Sequence, residues 1–208
     1  MFDTTIFNQI IIFFAQHLFW VSLIAYFGFT LYLGKKKSVL IPFLLLSSLV
    51  FSGTFLLSRL LSFFIKIPRP FVADSINPLF PHVIDNGFPS DHTLLTATIA
   101  ASVFVFNKKL GSLLFVLTAF VGLARVIAGV HHISDIVGAI IISILIANLV
   151  YSAIKNINQT KFKTLNQLIL SSRKIINRPT SQDVLRFHKE DFEKVLQKLR
   201  SIYRHIQY

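Results

Sequence analysis

The polar positions of this 208-residue chain fall in short clusters that separate long apolar runs. Residues 6–33 contain no Asp, Glu, Lys or Arg, and residues 38–65 contain only Arg59. Three more apolar runs cover 90–106, 110–127 and 133–154. A membrane-crossing helix needs about 20 mainly apolar residues, so this pattern predicts five spans. As one helix, residues 6–33 would measure about 42 Å at ~1.5 Å per residue, which predicts a short interfacial stretch ahead of the first span. A Pro-rich mixed segment, 66–89, joins the second span to the third. The expected fold class is all-α: a polytopic membrane bundle of about five transmembrane helices over residues 1–155, followed by a cytoplasmic helical tail over 156–208.

Composition sharpens this picture. Hydrophobic residues make up 53% of the chain and charged residues 14%, which excludes a disordered chain and is too apolar for an ordinary soluble domain. The absence of cysteine excludes disulfides, thiolate metal sites and cysteine nucleophiles. The formal net charge is +12. Residues 1–155 contribute ten Lys/Arg against five Asp/Glu, or +5, and residues 156–208 contribute eleven against four, or +7. With five spans, Lys35, Lys36, Lys37, Lys108, Lys109, Lys155 and the tail all fall on one side. The positive-inside rule makes that side cytoplasmic. Asp3 is the only charge before the first run, so no cleaved signal peptide is expected.

The 22 Phe are scattered along the spans and read as lipid-facing bulk. They do not form a nucleic-acid stacking platform, and no Gly-rich loop suggests a nucleotide. In the tail, Leu185, His188, Phe192, Val195, Leu199, Ile202 and Ile206 recur at helical spacing. Arg186, Lys189, Lys194, Lys198 and Arg200 take the opposite face. A basic amphipathic helix of this kind fits the anionic lipids of the inner leaflet, with a partner-binding helix as the rival reading.

The remaining chemistry gathers on the non-cytoplasmic side, at three junctions between spans. His131 and Asp135 are four apart and share a helix face. A carboxylate bonded to one imidazole nitrogen fixes the tautomer and leaves the other nitrogen a better base or nucleophile. Gly129 permits a break, so that Arg125 ends one span and His131 opens the next. Pro89, Ser90, Asp91 and His92 read as a helix start whose backbone N–H groups favour an anion. Arg69, between Pro68 and Pro70, sits on a stiff extended turn. Lys66 is divided between interfacial anchoring and a phosphate contact. Asp74, His82 and Asp85 read as solvated loop residues. A metal site built from His92, His131, His132, Asp91 and Asp135 is the rival, but the basic side chains nearby disfavour a divalent cation. A phosphate group suits them better.

The order Arg69-Pro70, then Pro89-Ser90-Asp91-His92, then Arg125, His131 and Asp135 resembles the type 2 phosphatidic acid phosphatase superfamily. Within it, Phe88-Pro89-Ser90-Asp91-His92-Thr93, Gly129-Val130-His131-His132, Pro68-Arg69-Pro70-Phe71-Val72-Ala73 and Pro81-His82 resemble the bacitracin-resistance type of undecaprenyl-pyrophosphate phosphatase. The resemblance is specific over about residues 60–140 and does not touch the tail. It implies His131 as a nucleophile that forms a phosphohistidine, Asp135 as its orienting group, and His92 as the acid that protonates the leaving oxygen. It also implies Arg69, Arg125 and Ser90 as phosphate ligands, with no metal and no cofactor. The substrate implied is a polyprenyl pyrophosphate held in the bilayer of a bacterial inner membrane, with the site on the outer face. Another lipid phosphate (phosphatidylglycerophosphate, phosphatidate or lipid A) is the alternative substrate, and a membrane protein that binds an anion without chemistry is the rival from another class. Two departures stand out. Ser62 occupies the place of the usual first-motif lysine, leaving Lys66 or Arg59 to supply its charge, and Ala124 replaces the usual serine before Arg125.

Overall fold

A computed structural model describes the backbone over residues 4–176 and the side chains through residue 157. The predicted tail helix lies outside the described residues. The chain forms two compact units, Met1–Tyr151 and Ser152–Tyr208. Seven helices are present among the described residues: α1 (Thr4–His17), α2 (Phe19–Gly34), α3 (Lys37–Phe64), α4 (Pro70–Ala73), α5 (Asp91–Phe106), α6 (Lys108–Ile127) and α7 (Ile133–Ile176).

By length and composition, α3, α6 and residues 133–157 of α7 are each able to cross a membrane, and α1 with α2 passes the same test together as a bent pair, a broken span or a re-entrant loop. The first predicted run is thus divided at Leu18 into two helices, α1 and α2. The bend is 41°, and the break at Leu18 involves neither Pro nor Gly. Just before the break, the Ala15 carbonyl accepts from Arg125 Nη1 at 3.1 Å. A side chain inserted at the end of a helical ladder is a common origin of such bends.

The predicted third span is α5, and it differs from the others. It has 16 residues, ten of them buried. At ~1.5 Å per residue it measures about 24 Å, short of the ~30 Å hydrocarbon core. Protein surrounds it on most sides, with α2, α3 and α6 packed against it. Two clusters form around this central helix. Ile99, Ala100 and Val103 pack with Phe29, Leu33, Phe43 and Leu114, while Leu94 packs with Ala139 and Ile142 of α7. Small and hydroxyl side chains allow the close approach typical of helices in lipid. Thr98 Oγ1 meets Ser143 Oγ at 3.1 Å, joining α5 to α7 inside the bundle. Outward-facing positions such as Ile24, Phe27, Leu31, Phe55, Leu56 and Leu113 are large, apolar and exposed. That inverted surface is what a lipid solvent selects.

The turn between α5 and α6 is fixed by Asn107, which ends one helix and caps the next by accepting from the Leu110 N–H at 3.0 Å. Gly111 then lies directly against the Phe104 backbone. A methyl group there has no flexible neighbour to displace. Gly111→Ala is expected to cost about 1–3 kcal/mol by overpacking, seen as a lower thermal unfolding midpoint in detergent. Gly28→Ala, where a side chain meets nothing within 4 Å, is the matched control and should show no loss.

Candidate active site

Four elements meet at the end of the bundle where α3 stops and α5 starts. The first is the α3–α4 connection. Asn86 organises it: its Oδ1 accepts from the N–H groups of Ile67 and Phe88 at 2.9 and 3.3 Å. Its Nδ2 donates to Ser62 O, Ser62 Oγ and Ile65 O at 2.8–2.9 Å. These bonds satisfy carbonyls left free where α3 ends, and they bring Ser62 under the 66–90 segment. Arg69 follows in extended conformation, with φ −68° and ψ 154°, just before Pro70 opens α4.

The second and third elements are the end of α6 and the start of α7. Arg125 is in the last turn of α6. Gly129 then takes φ +73°, a left-handed turn that costs glycine little. This turn presents the Val130 carbonyl to Arg69 Nη1 at 2.9 Å. His131 is 2% exposed and Asp135 is fully buried. His131 Nδ1 lies 3.2 Å from Asp135 Oδ2, which also accepts from the His132 N–H at 2.9 Å. His132 itself turns outward, its Nε2 3.1 Å from the Pro68 carbonyl.

His131 Nε2 lies 3.1 Å from Arg69 Nη1 and 3.4 Å from Arg125 Nη2. Guanidinium is only a donor and a carboxylate only an acceptor. The imidazole is therefore protonated on Nδ1, toward Asp135, and carries its lone pair on Nε2, toward the two arginines. Both guanidinium groups are buried, and Arg125 Nε has no hydrogen-bond partner among the protein atoms. That orphan donor is costly unless an anion or water reaches it.

The fourth element is the start of α5. Ser90 is fully buried and occupies the N-cap without a side-chain cap bond. Its N–H reaches the Asp135 carbonyl at 3.3 Å, and its hydroxyl accepts from Thr93 Oγ1 at 3.1 Å. His92 is half-buried, its ring edge-on to Phe19 with centroids 4.9 Å apart, and it lies within electrostatic range of Arg125, His131, His82 and Arg69.

Of the residues expected from sequence, Arg69, Arg125, His131, Asp135, Ser90 and His92 thus converge. Lys66 does not: it is exposed, and its ammonium lies 5.6 Å over the Phe63 ring. Arg59 pairs with Asp91 at 3.1 Å, both exposed. Among the described residues, no group of three or more His, Cys, Asp or Glu side chains is arranged to hold a metal ion.

Three loop residues expected to be solvated, or not singled out, belong to the site. His82 Nε2 lies 3.0 Å from Arg125 Nη2, with its ring 6.3 Å from that of His131. Asp85 Oδ1 accepts from Arg69 Nε at 2.5 Å. Gly87 leaves the room that the Asp135 carboxylate and Arg69 Cγ fill, within 3.1–3.5 Å of where its side chain would begin. In the sequence, the Pro81-His82 pair within the family resemblance pointed to His82, and only its closeness to Phe88 pointed to Asp85 and Gly87.

The fold and this constellation define a membrane-embedded, arginine-lined histidine centre. The chain belongs to the PAP2 superfamily, whose family model matches residues 41–159, and it is a multi-pass membrane protein. It is similar to the "Bacitracin transport permease protein BcrC" of Bacillus licheniformis, 40% identical over 84 residues that cover 40% of this chain and 41% of that protein. It is also similar to "Undecaprenyl-diphosphatase BcrC" of Bacillus subtilis (strain 168), 36% identical over 84 residues, covering 40% of this chain and 44% of that protein. The matched stretch thus spans less than half the length of these curated relatives. Among solved structures, Aquifex aeolicus LpxE superposes with a TM-score of 0.55 and 25% identity, over 69% of this chain and 86% of that one.

Burial, Arg125 and Arg69 together hold the His131 pKa below the ordinary histidine value, against the raising effect of Asp135. Burial and the same two arginines lower that of His82. The unfolded chain therefore binds these protons more tightly than the folded one. Their contribution to stability is complete above about pH 6.5 and is lost as pH falls below it. The thermal midpoint should drop on acidification from about pH 7 to about pH 5. The drop should be smaller in a His82→Gln/His131→Gln double variant, and an identical drop would refute the coupling.

Proposed function

We propose that this chain is a bacterial membrane phosphatase that hydrolyses undecaprenyl pyrophosphate to undecaprenyl phosphate and inorganic phosphate through a phosphohistidine at His131. The observation that carries the reading is the direction of the His131 lone pair. Asp135 holds the proton on Nδ1, and Nε2 faces the place where two buried guanidinium groups converge. Phosphoryl transfer is largely positioning and charge stabilisation, and this is the arrangement it needs. The similarity to a protein named undecaprenyl-diphosphatase supports the choice of lipid.

In this mechanism the terminal phosphoryl group displaces the arginine contacts on Nε2 and takes them on its own oxygens. Arg69, Arg125 and the Ser90 hydroxyl hold those oxygens, and the orphan Nε of Arg125 gains its partner. Nε2 attacks phosphorus in line, and the bond to the bridging oxygen breaks. His92 donates a proton to that oxygen as undecaprenyl phosphate leaves. A water then attacks the phosphohistidine and gives its proton back to His92, the P–N bond breaks, and phosphate departs. Asp135 stabilises the imidazole as charge develops on it. The polyprenyl chain stays in the bilayer throughout.

Residues 1–155 act as the phosphatase domain. The clusters at Lys35, Lys36 and Lys37 and at Lys108 and Lys109 face the cytoplasm under the positive-inside rule, which puts the histidine centre on the outer face of the inner membrane. The basic tail, 156–208, rests on anionic lipid of the inner leaflet.

Phosphate release from undecaprenyl pyrophosphate, measured in detergent with EDTA, tests the reading. Wild type should turn over, and His131→Ala should fall to background. Asp135→Asn, which keeps shape but allows the wrong tautomer, should lose about 10²–10⁴-fold in kcat. No turnover by folded wild type would reject this substrate and direct the assay to phosphatidylglycerophosphate, phosphatidate and lipid A phosphates. Unchanged turnover in His131→Ala would reject the site.

A further inference from the structure

Loop 74–90 contributes more to the site than its exposure suggests. It is anchored at two places. Phe80 is buried against Ile11, Ala124 and Val130, and Asn86 is tied to the end of α3 by the bonds described above. Between these anchors, Pro81, Val83, Ile84 and Asp85 are exposed and His82 is half-buried. An open depression of about 400 Å³ lies beside Pro81, His82 and Val83. The main ties between this short stretch and the bundle are the two contacts it makes to arginine.

Those contacts have the chemistry of a ligand. Asp85 brings a carboxylate to Arg69 Nε at 2.5 Å, a charge-assisted bond of the kind a phosphoryl oxygen makes. His82 Nε2 faces a guanidinium, so it accepts, and its Nδ1 lies 3.4 Å from the Val83 carbonyl as the donor. One strap therefore supplies an acceptor to each of the two phosphate-binding arginines. His131 is 2% exposed, and its ring lies 6.3 Å from that of His82.

Resting on the reading of this centre as a phosphoryl site, we propose that His82 and Asp85 form an anion-mimicking strap that competes with the incoming group for Arg69 and Arg125 and so determines which lipid phosphates the site accepts. A bound anion must displace the strap, and its apparent affinity is reduced by the fraction of molecules in which the strap is displaced. A pyrophosphate brings more negative charge and more acceptor oxygens than a monophosphate or inorganic phosphate. The cost of displacing the strap is the same for every anion, so a diphosphate with more contacts stays bound at concentrations where a monophosphate or inorganic phosphate does not. It can lift without unpacking the core, because Phe80 and Asn86 stay in place and the residues between them are mostly in solvent.

The test is binding of inorganic phosphate to the full chain in detergent by titration calorimetry, which does not depend on turnover. In a His82→Ala/Asp85→Asn double variant the dissociation constant should fall about tenfold. Asp74→Asn removes an equal charge from the same exposed loop away from both arginines, and should change it by no more than about twofold. Weaker phosphate binding in the double variant would mean that His82 and Asp85 hold the arginines in place for the substrate, and would overturn the proposal. Equal tightening in Asp74→Asn would reduce the effect to net charge, and an unchanged constant would remove it. Absence of phosphate binding in every variant would instead reject the phosphoryl-site reading and the strap with it.

Discussion

Two guanidinium groups converge on one imidazole nitrogen, and the irregular parts of the bundle are arranged around that meeting. Burying a cation costs several kcal/mol unless partners replace its water, and two are buried here within hydrogen-bond reach of His131 Nε2. Their partners come from several separate segments. Ala15 offers a carbonyl at the end of α1, Val130 offers one through the Gly129 turn, and Asp85 and His82 reach in from the loop. The bend between α1 and α2, the left-handed turn before His131 and the missing side chain at Gly87 each make one of these approaches possible. The N-terminal helix lies outside the part of the chain that matches the family model. It nevertheless enters the site through the Ala15 carbonyl, and Phe19, the first residue of α2 and likewise outside that part, packs edge-on against His92.

What the sequence revealed, and what it did not, divides along the range of the interactions. Apolar runs and charge clusters are local, so the helices of the bundle and the break at Gly129 could be read directly. The motif residues Arg69, Ser90, His92, Arg125, His131 and Asp135 could be read as well, because their spacings reflect helix starts and ends. The bend at Leu18 was hidden because no Pro or Gly marks it, and Arg125, whose side chain meets the chain there, lies 110 residues away. The central place of α5 was hidden too, since an apolar run looks the same whether lipid or protein surrounds it. Its threonines and alanines were the available clue. His82 and Asp85 looked like solvated loop residues because nothing local distinguishes a loop that folds over a site from one that does not. Lys66 carried the charge expected of a phosphate ligand, yet the chain directs it over Phe63.

The solvent explains why the polar chemistry sits at one end of the helices. In hydrocarbon an ionisable group must face protein or lie near the interface. Here Arg69, Arg125, His131 and Asp135 do both. Further inside, the buried polar side chains among the described residues are hydroxyl groups; Thr98 and Ser143 bond back to their own helix and to each other, while Ser22, Ser47, Thr54 and Ser102 have no protein partner. A lipid whose headgroup is anionic and whose tail is apolar meets the same gradient along the protein that it meets in the bilayer.

The pairing of charges then shows where an anion gains most. Arg59 is matched with Asp91 and Arg69 with Asp85, while Asp135 is committed to His131. Among the described residues Arg125 has no carboxylate at salt-bridge distance. It is buried, shares its Nη groups with a carbonyl and two imidazoles, and keeps Nε without a partner. Ser62, standing where the family's first motif carries a lysine, adds no charge and is tied to Asn86 instead. The positive potential of the centre therefore rests on Arg125 until the Asp85 carboxylate leaves Arg69, which doubles the cationic charge open to the incoming group. An anion strong enough to draw Arg69 away from Asp85 thus creates the two-arginine site that holds it.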